Sequence, residues 1–223
     1  MTGLRYVYAV CRPFDAALQA QLTGVAGAPP KLLTHHGLVA VVSTVPEADF
    51  AEEPLRYRTA DGDRLAATER AHHAVIDALT AVTTPLPLRP ATVFRDDSAV
   101  RVMIEEREDD FRRALDRLSG RVEWGVKVYL EERGKDDEGT RRNAEAFAGR
   151  LHRALSRHAE DHRLYTSSNL FDAAYLVTRE DSEQFVELVD RTNSDVDGPR
   201  VELTGPWAVY SFFGSGTGRG PRT

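Results

Sequence analysis

The seven histidines are the residues of this chain with the widest range of chemistry open to them. His158 and His162 are four residues apart, a spacing at which one face of a helix can hold zinc or nickel. A third ligand would have to come from His152 or Asp161, and neither shares that helix face. The sequence therefore favours the polar end of an amphipathic helix, with imidazoles near its C-terminal dipole, and predicts no metal site.

Two further pairs of histidines are adjacent in sequence. One pair lies on a predicted helix, with His72 in the middle of its apolar stripe and His73 at the edge of that stripe. The stripe predicts a helix face directed at the core and consists of Leu65, His72, Val75, Ile76, Leu79 and Val82. Neighbouring helical residues point about 100° apart, so His72 and His73 cannot readily share one metal. His35 and His36 fall between two predicted strands, where a solvated turn is the simplest interpretation.

The other reactive groups do not form a catalytic pattern. Cys11 is the single cysteine, which excludes an internal disulfide and a zinc site built from cysteines, and a small core side chain is the favoured interpretation. The acidic residues between Glu105 and Asp110 alternate with arginines, as on a solvated helix face. Phosphate-binding glycine loops, the G-x-S-x-G elbow and the H-E-x-x-H motif are absent. We therefore predict neither catalysis nor a cofactor.

Composition and charge narrow the class of protein further. The chain has 223 residues, of which 41% are hydrophobic and 29% charged, as in an ordinary folded protein. Its net charge of −6 argues against nucleic acid and against a lipid membrane surface as partners. The sequence shows neither a signal peptide nor an apolar run close to the roughly 20 residues that span a bilayer. We expect a cytoplasmic protein.

Residues 1–96 predict an N-terminal α+β domain with an antiparallel sheet. Alternation predicts a strand from Leu4 to Val10, and Pro13 favours a short helix through about Leu22. The later elements are strands Lys31 to Thr34 and Leu38 to Val45, a helix capped by Asp61-Gly62-Asp63, and an extended segment between Pro85 and Phe94. This β-α-β-β-α-β order is ferredoxin-like, with helices on one face of the sheet. Pro85, Pro87 and Pro90 suit only an edge strand.

An amphipathic helix over residues 97–120 is predicted to connect this domain to a second one. Asp97-Ser98 caps the helix and Ser119-Gly120 ends it. Arg107 falls on its apolar stripe, where the side chain is expected to snorkel or to pair with a carboxylate. The stripe is otherwise apolar for about 20 residues, with Val100, Met103, Ile104, Phe111, Leu115 and Leu118.

Residues 121–213 predict a C-terminal ferredoxin-like domain with the same β-α-β-β-α-β order. Strict alternation from Val122 to Leu130 is the strongest strand signal in the chain. A helix with Phe147, Leu151 and Leu155 on one face follows it. The remaining elements are strands Leu164 to Ser168 and Phe171 to Thr178, a helix capped by Asp181-Ser182, and extended segments Arg200 to Leu203 and Trp207 to Phe213. Residues 214–223 are predicted to be a disordered tail.

Four stretches in register resemble one known family. They are Tyr6-Val7-Tyr8, His72-His73 leading into Pro85-Leu86-Pro87-Leu88-Arg89, Glu123-Trp124-Gly125-Val126-Lys127-Val128, and Gly205-Pro206-Trp207-Ala208-Val209-Tyr210-Ser211-Phe212. Together they are similar to the gas vesicle protein L/F family. Two departures stand out. Pro90-Ala91-Thr92 replaces the family's phenylalanine-glycine-threonine, and Ala208-Val209 stands where the family commonly has prolines.

The resemblance implies a gas vesicle accessory protein without known catalysis and with a ferredoxin-like C-terminal domain. Its implied partners are the small, hydrophobic main shell protein and other vesicle proteins, which it would bind during nucleation and assembly. Unassembled shell segments expose apolar surface and strand edges, which a partner shields with a sheet edge or an apolar patch. We expect such surface at the proline-rich edge and in the terminal aromatic strand, at Leu86, Leu88, Arg89, Trp207, Tyr210 and Phe212. The alternative for the aromatics is that they fill the C-terminal core.

Two other functional classes stay open at this point. An enzyme or haem protein of the α+β-barrel type also pairs ferredoxin-like units, and His72 or His158 would then be the ligand. A sensor of small molecules built from regulatory ferredoxin-like domains is the second. The sequence provides no site geometry for either class, so an assembly protein is the favoured hypothesis.

Overall fold

The computed structural model describes residues 3–15, 22–50, 62–130, 138–194 and 199–213. The chain divides into two compact units at the bond between Ser119 and Gly120. Each unit contains one antiparallel sheet together with helices, which confirms the predicted α+β class. None of the described helices combines the length and the apolar composition that crossing a bilayer requires.

The first unit is built on a sheet in which the first strand is central. β1 pairs with β3 on one side and with the short β4 and β5 on the other, and β2 forms the far edge beyond β3. The strands are β1 (Gly3–Cys11), β2 (Lys31–His35), β3 (Leu38–Pro46), β4 (Leu86–Pro87) and β5 (Val93–Phe94). The predicted strands are thus all present, and the proline-rich segment lies at an edge as expected.

Helices lie on both faces of this sheet, whereas the sequence predicted helices on one face only. Every residue of β1 from Tyr6 to Cys11 is buried, and successive strand residues point to opposite faces, so both faces are covered. The helices are α1 (Glu47–Phe50), α2 (Gly62–Val82), α3 (Asp97–Glu106) and α4 (Glu108–Leu118). Of these, α2 contacts β1, while α3 and α4 contact β2, β4 and β5.

Helices α3 and α4 replace the single connecting helix that the sequence predicted. The break is at Arg107, whose backbone angles of −121° and 15° are not helical. Its guanidinium lies 4.7 Å from the centre of the Phe111 ring, so a cation–π contact holds the side chain at the break. The cap is Asp96, one residue earlier than predicted, and its carboxylate accepts from the Ala99 amide. The six predicted stripe residues are all buried, and they pack within the first unit.

The second unit has the predicted β-α-β-β-α-β order. It consists of β6 (Arg121–Leu130), α5 (Glu138–Leu155), β7 (Asp161–Leu164), β8 (Phe171–Thr178), α6 (Ser182–Ser194) and β9 (Pro199–Trp207). The strand order is β7-β8-β6-β9, which matches β2-β3-β1-β4 of the first unit strand for strand. One core joins β6 and β8 to both helices, and its largest members are Trp124, Phe147, Leu151, Tyr175 and Phe185.

Three predictions for the second unit and for helix α2 need correction. β7 begins at Asp161, three residues before the predicted strand, and ends at Leu164. β9 is continuous through Gly205 to Trp207, and the predicted final strand does not form in residues 208–213. Leu65 and Val82 are exposed ends of the α2 stripe rather than part of its core face.

Some predictions concern residues outside the described ranges. The Asp61 cap and most of the Pro13 to Leu22 helix are among them, as is the tail of residues 214–223.

Candidate functional site

A buried carboxylate joins two of the family-like stretches in the second unit. Glu123, on β6, accepts from the Ser211 amide at 2.8 Å and from the Ser211 hydroxyl at 2.6 Å. The Ser211 hydroxyl also contacts the Tyr165 hydroxyl. Burial raises the pKa of Glu123 from 4.5 to about 7, although both bonds from Ser211 oppose that rise. This side chain therefore fixes the end of the chain to the sheet.

The segment that carries Ser211 is a compact turn and not the predicted aromatic strand. The Tyr210 amide donates to the Ala208 carbonyl, and the Phe212 amide donates to the Val209 carbonyl. This reversal of the chain brings Ser211 into contact with Glu123. In an extended strand, Ser211 would lie beyond the reach of Glu123. Ala208, Val209 and Phe212 are buried, and Trp207 and Tyr210 are partly buried. The aromatic residues thus divide between core and surface.

Gly205 explains why the final stretch begins with glycine. Its φ of +130° lies in a region that L-amino acids with side chains rarely adopt. A Cβ atom at this position would lie 2.9 Å from the Glu123 carbonyl oxygen and 3.0 Å from the Trp124 ring. The close approach of β9 to β6 at this point therefore requires glycine.

A second buried polar group, centred on Tyr6, joins the other two family-like stretches in the first unit. The Tyr6 hydroxyl accepts from the Ala91 amide at 3.0 Å and lies 3.1 Å from His72 Nδ1. His72 is fully buried beside the rings of Tyr6 and Tyr8, and burial lowers its pKa to about 4. The imidazole is therefore neutral near pH 7. This position confirms His72 as a core histidine.

Cys11 is likewise a core residue, as predicted. Its thiol is buried and donates to the Val39 carbonyl oxygen, with 3.7 Å between sulfur and oxygen. Burial raises the pKa of the thiol to about 12, so the nucleophilic thiolate is scarce at neutral pH.

The proline-rich edge places two predicted binding residues in the interior. Leu86 is fully buried and pairs with Val10, and the buried Leu88 donates its amide to the Tyr8 carbonyl at 2.8 Å. Arg89, the next residue, is exposed. Leu86 and Leu88 therefore belong to the core, and so does Phe212. They do not form the partner-binding surface that the sequence suggested, because a partner cannot contact side chains packed inside the fold.

His158 and His162 do not share a helix, so the prediction that both lie at the polar end of one amphipathic helix was wrong. α5 ends at Leu155, His158 follows in a turn, and His162 is on strand β7. The ring of His162 instead lies 4.8 Å, centre to centre, from that of His152. His152 Nδ1 lies 2.8 Å from the Tyr175 hydroxyl, and burial followed by the nearby His162 lowers the pKa of His152.

The predicted solvated turn at His35 and His36 has charged partners. His35 Nε2 lies 2.6 Å from a Glu105 oxygen, and His36 Nδ1 lies 2.7 Å from a Glu108 oxygen. The two rings stack with 4.2 Å between their centres. Nothing in the local sequence indicated this pairing, because it depends on the break at Arg107 between the two glutamates.

Two edge strands carry exposed apolar residues that were not among the predicted partner-binding residues. β2 and β7 are the terminal strands of their sheets, with Leu32 45% exposed on β2 and Leu164 59% exposed on β7. An exposed leucine on an edge strand combines unpaired backbone groups with apolar surface. The alternation in Lys31–His35 would have supported Leu32 as a candidate once β2 was known to be an edge.

Comparison with known proteins gives consistent results over the whole chain. The sequence model described as gas vesicle synthesis protein GvpL/GvpF matches residues 4–138 and 134–214. Gas vesicle protein L of Streptomyces sp. (strain CB03234) is 49% identical, with 95% of this chain and 93% of the relative covered. Gas vesicle protein F2 of Halobacterium salinarum is 26% identical, with 89% and 87% covered.

Solved structures share the fold. The crystal structure of the gas vesicle protein GvpF from Anabaena sp. PCC7120 has a TM-score of 0.76 at 15% identity, over 99% of this chain and all of that one. That of GvpF from Microcystis aeruginosa has a TM-score of 0.69 at 18% identity, over 95% of this chain and 99% of that one. On the sequence match across nearly its full length, this chain belongs to the gas vesicle GvpL/GvpF family.

Proposed function

We propose that this chain is a gas vesicle accessory protein that binds the main shell protein during nucleation and assembly. Its membership of the gas vesicle family supports the vesicle role. Other vesicle accessory proteins are the second class of partner. In this proposal the protein acts from the cytoplasm and performs no chemical reaction on its partner.

The observation that carries the proposal is the exposed edge strand β2. Lys31, Leu32 and Thr34 are exposed, and β2 pairs with β3 alone among the described strands. On a terminal antiparallel strand, the outward backbone N–H and C=O groups are available to a further strand. A partner strand added there would gain main-chain hydrogen bonds, and Leu32 would supply apolar contact.

The opposite edge of the same sheet is less suited to this role. β4 and β5 are only two residues each, and the segment between them turns at Pro90 and Ala91. Pro87 also lacks an amide donor, and such interrupted edges are the ones proteins use to prevent strand addition. We therefore place the strand-binding edge at β2, with Leu86 and Leu88 supporting the core behind the other edge.

The partner's chemistry fits an apolar edge. A shell protein that forms a gas-tight wall must present apolar strands before it assembles, and such strands aggregate when unprotected. Pairing with β2 would cover one of those strands without requiring a cavity. Arg89, Trp207 and Tyr210 remain proposed contact residues, because their side chains are at least partly exposed.

The test is co-expression with the shell protein, followed by a solubility assay and a pull-down. The variant is Leu32→Lys, which adds a charge at the edge, and the matched control is Leu65→Lys, on helix α2, where leucine is 42% exposed. Both changes are at the surface and should alter stability by no more than about 0.5 kcal/mol. We expect the wild type and Leu65→Lys to keep the shell protein soluble and bound, and Leu32→Lys to lose most of that binding.

The outcomes separate the parts of the proposal. If the wild type never associates with the shell protein at any ratio, direct shell binding is excluded, and pull-down of other vesicle proteins then identifies the partner class. If both lysine variants bind as well as the wild type, the shell protein uses a different surface, and Trp207→Ala and Tyr210→Ala are the next variants to compare.

A further inference from the structure

One cluster in the first unit combines two imidazoles with two carboxylates from separate elements. His35 is the last residue of strand β2 and His36 the first of the β2–β3 turn, while Glu105 lies in the last turn of helix α3 and Glu108 begins helix α4. The contacts are 2.6 Å between His35 Nε2 and Glu105 and 2.7 Å between His36 Nδ1 and Glu108. These residues are about 70 positions apart in sequence, so only the fold brings them together.

The backbone holds both sides of this cluster in place. His36 and Gly37 have φ values of +49° and +70°, which is the pattern of a two-residue hairpin turn of type I′. Histidine is among the few residues enriched at positive φ, so the turn tolerates His36. On the helical side, the break at Arg107 turns the end of α3 and the start of α4 toward one hairpin.

One histidine of the cluster, His36, is held by a carboxylate in the way that metal ligands often are. Metal-binding histidines typically donate the second ring N–H to a carboxylate, which fixes the ring and the tautomer. Glu108 bonds His36 Nδ1 in this way and leaves the Nε2 lone pair for a ligand. Arg112 in turn donates to Glu108 at 2.8 Å and to the His36 carbonyl oxygen, so the orienting carboxylate is itself held.

The donor atoms are close enough to share one ion. One nitrogen of each histidine and one oxygen of Glu105 all lie within 4.8 Å of one another. Ligand atoms in a tetrahedral zinc site are about 3.3 Å apart, because each lies about 2.0–2.2 Å from the metal. The two rings stack with 18° between their planes, so their lone pairs do not converge on one point in this arrangement. The side chains of Glu105 and His36 are each about half exposed, so both can rotate toward a common ion without disturbing the core.

We propose that His35, His36 and Glu105 form a binding site for a divalent transition metal such as Zn²⁺, with Glu108 as the residue that orients His36. Two imidazole nitrogens and one carboxylate oxygen suit Zn²⁺, Ni²⁺ or Co²⁺ rather than Mg²⁺ or Ca²⁺. The ion would take the place of the proton between His35 Nε2 and Glu105, and the imidazole would carry its proton on Nδ1 instead. A water molecule would fill the fourth position on the exposed side.

Metal binding would fasten the β2–β3 hairpin to helices α3 and α4. A ligand that binds only the folded state stabilises it in proportion to the logarithm of its concentration over its Kd. The alternative to a metal site is that the four side chains form two histidine–glutamate pairs and bind no ion. The inference rests on the cluster's geometry alone and does not depend on the identity of any protein partner.

Titration calorimetry of the tag-free full chain with ZnCl₂, after dialysis against a chelator, tests the proposal. We expect one Zn²⁺ per chain, with a raised melting temperature in the presence of zinc. His36→Ala and Glu105→Gln each remove a ligand and should weaken binding by more than the roughly 10-fold to 100-fold loss typical of an orienting residue. Glu108→Gln should fall within that 10-fold to 100-fold range.

A histidine elsewhere provides the control for non-specific binding. His158 is exposed in the second unit, and His158→Ala should leave the zinc affinity unchanged. Visible absorption of bound Co²⁺, lost in His36→Ala and Glu105→Gln, would confirm ligation at this cluster. Absence of zinc binding by the wild type at millimolar zinc overturns the proposal. So does zinc binding that is equally strong in the wild type, His36→Ala and Glu105→Gln.

Discussion

At the scale of single residues, two buried polar groups connect the family-like stretches of this chain in pairs. Tyr6 bonds to both His72 and Ala91, which connects the opening strand to helix α2 and to the proline-rich segment. Glu123 bonds to Ser211 twice, which connects β6 to the final turn. Buried polar groups that lose one partner pay a desolvation cost of about 1–3 kcal/mol, so these residues are constrained in pairs.

Glu123 makes the stability of the second unit dependent on pH. Its pKa is raised from 4.5 to about 7, so the fold favours the neutral acid. This contribution to the free energy of unfolding is fully present below about pH 4.5, the pKa in the unfolded chain. It is lost as the pH rises from there through about 7, the pKa in the folded protein, and stability then no longer changes with this group. Between pH 5 and pH 8 the wild type should therefore lose about 2–3 kcal/mol of unfolding free energy relative to Glu123→Gln. The glutamine carries no charge, can accept from the Ser211 amide through its oxygen, and can donate its NH₂ group to the Ser211 hydroxyl oxygen.

Urea unfolding of both proteins at pH 5 and pH 8 measures this difference. Glu202→Gln on strand β9 is the matched control, because Glu202 is partly exposed and pairs with Lys127. If the difference in unfolding free energy between the wild type and Glu123→Gln is the same at pH 5 and pH 8, the pKa of Glu123 is not raised in the folded protein.

At the scale of elements, periodicity predicted most strands and helices correctly but failed where a local pattern had two solutions. Strand β8 was predicted residue for residue from Phe171 to Thr178, because a short, mostly apolar run lies there between polar segments. The α3–α4 stripe was found, yet the break within it was not, because Arg107 on Phe111 is a side-chain contact without a periodic signal. Alternating aromatics after Trp207 predicted a strand, whereas the bonds to Glu123 favour a turn.

The turn at residues 208–213 makes Phe212 a core residue, and its removal should be costly. Phe212 is buried, and the Arg163 guanidinium lies 5.4 Å from its ring centre. Phe212→Ala should reduce the free energy of unfolding by about 3–5 kcal/mol, as for other buried phenylalanines. Tyr129→Ala, which truncates a 38% exposed aromatic on β6, should cost less than about 1 kcal/mol. Chemical denaturation gives both values, and equal small effects would support an exposed terminal strand instead.

At the scale of the whole molecule, the sequence predicted the α+β class, the two related units and the family, but little of which residues are exposed. The order of helices and strands along the chain follows from hydrophobic periodicity, which each local segment shows by itself. Exposure does not, because it depends on which elements cover a face. Leu86 and Leu88 were selected as surface, yet the sheet and its helices bury them, and Leu32 became a candidate only when β2 was found at an edge.

The histidines show the same limit. His72 was correctly placed in the core from the α2 stripe, since its neighbours at helical spacing are apolar. The pairing of His35 with Glu105 across 70 positions has no counterpart in local sequence. The chain's long-range contacts, rather than its motifs, therefore define both the proposed metal site and the proposed edge.

The most direct test of the account is hydrogen–deuterium exchange of this chain with and without the shell protein. Addition of a partner strand to β2 predicts slower exchange at those backbone amides of Lys31–His35 that point away from β3, with no comparable change at the Leu86 amide of the proline-rich edge. Protection confined to other segments, with Lys31–His35 exchanging at the same rate in both samples, would contradict binding at the β2 edge.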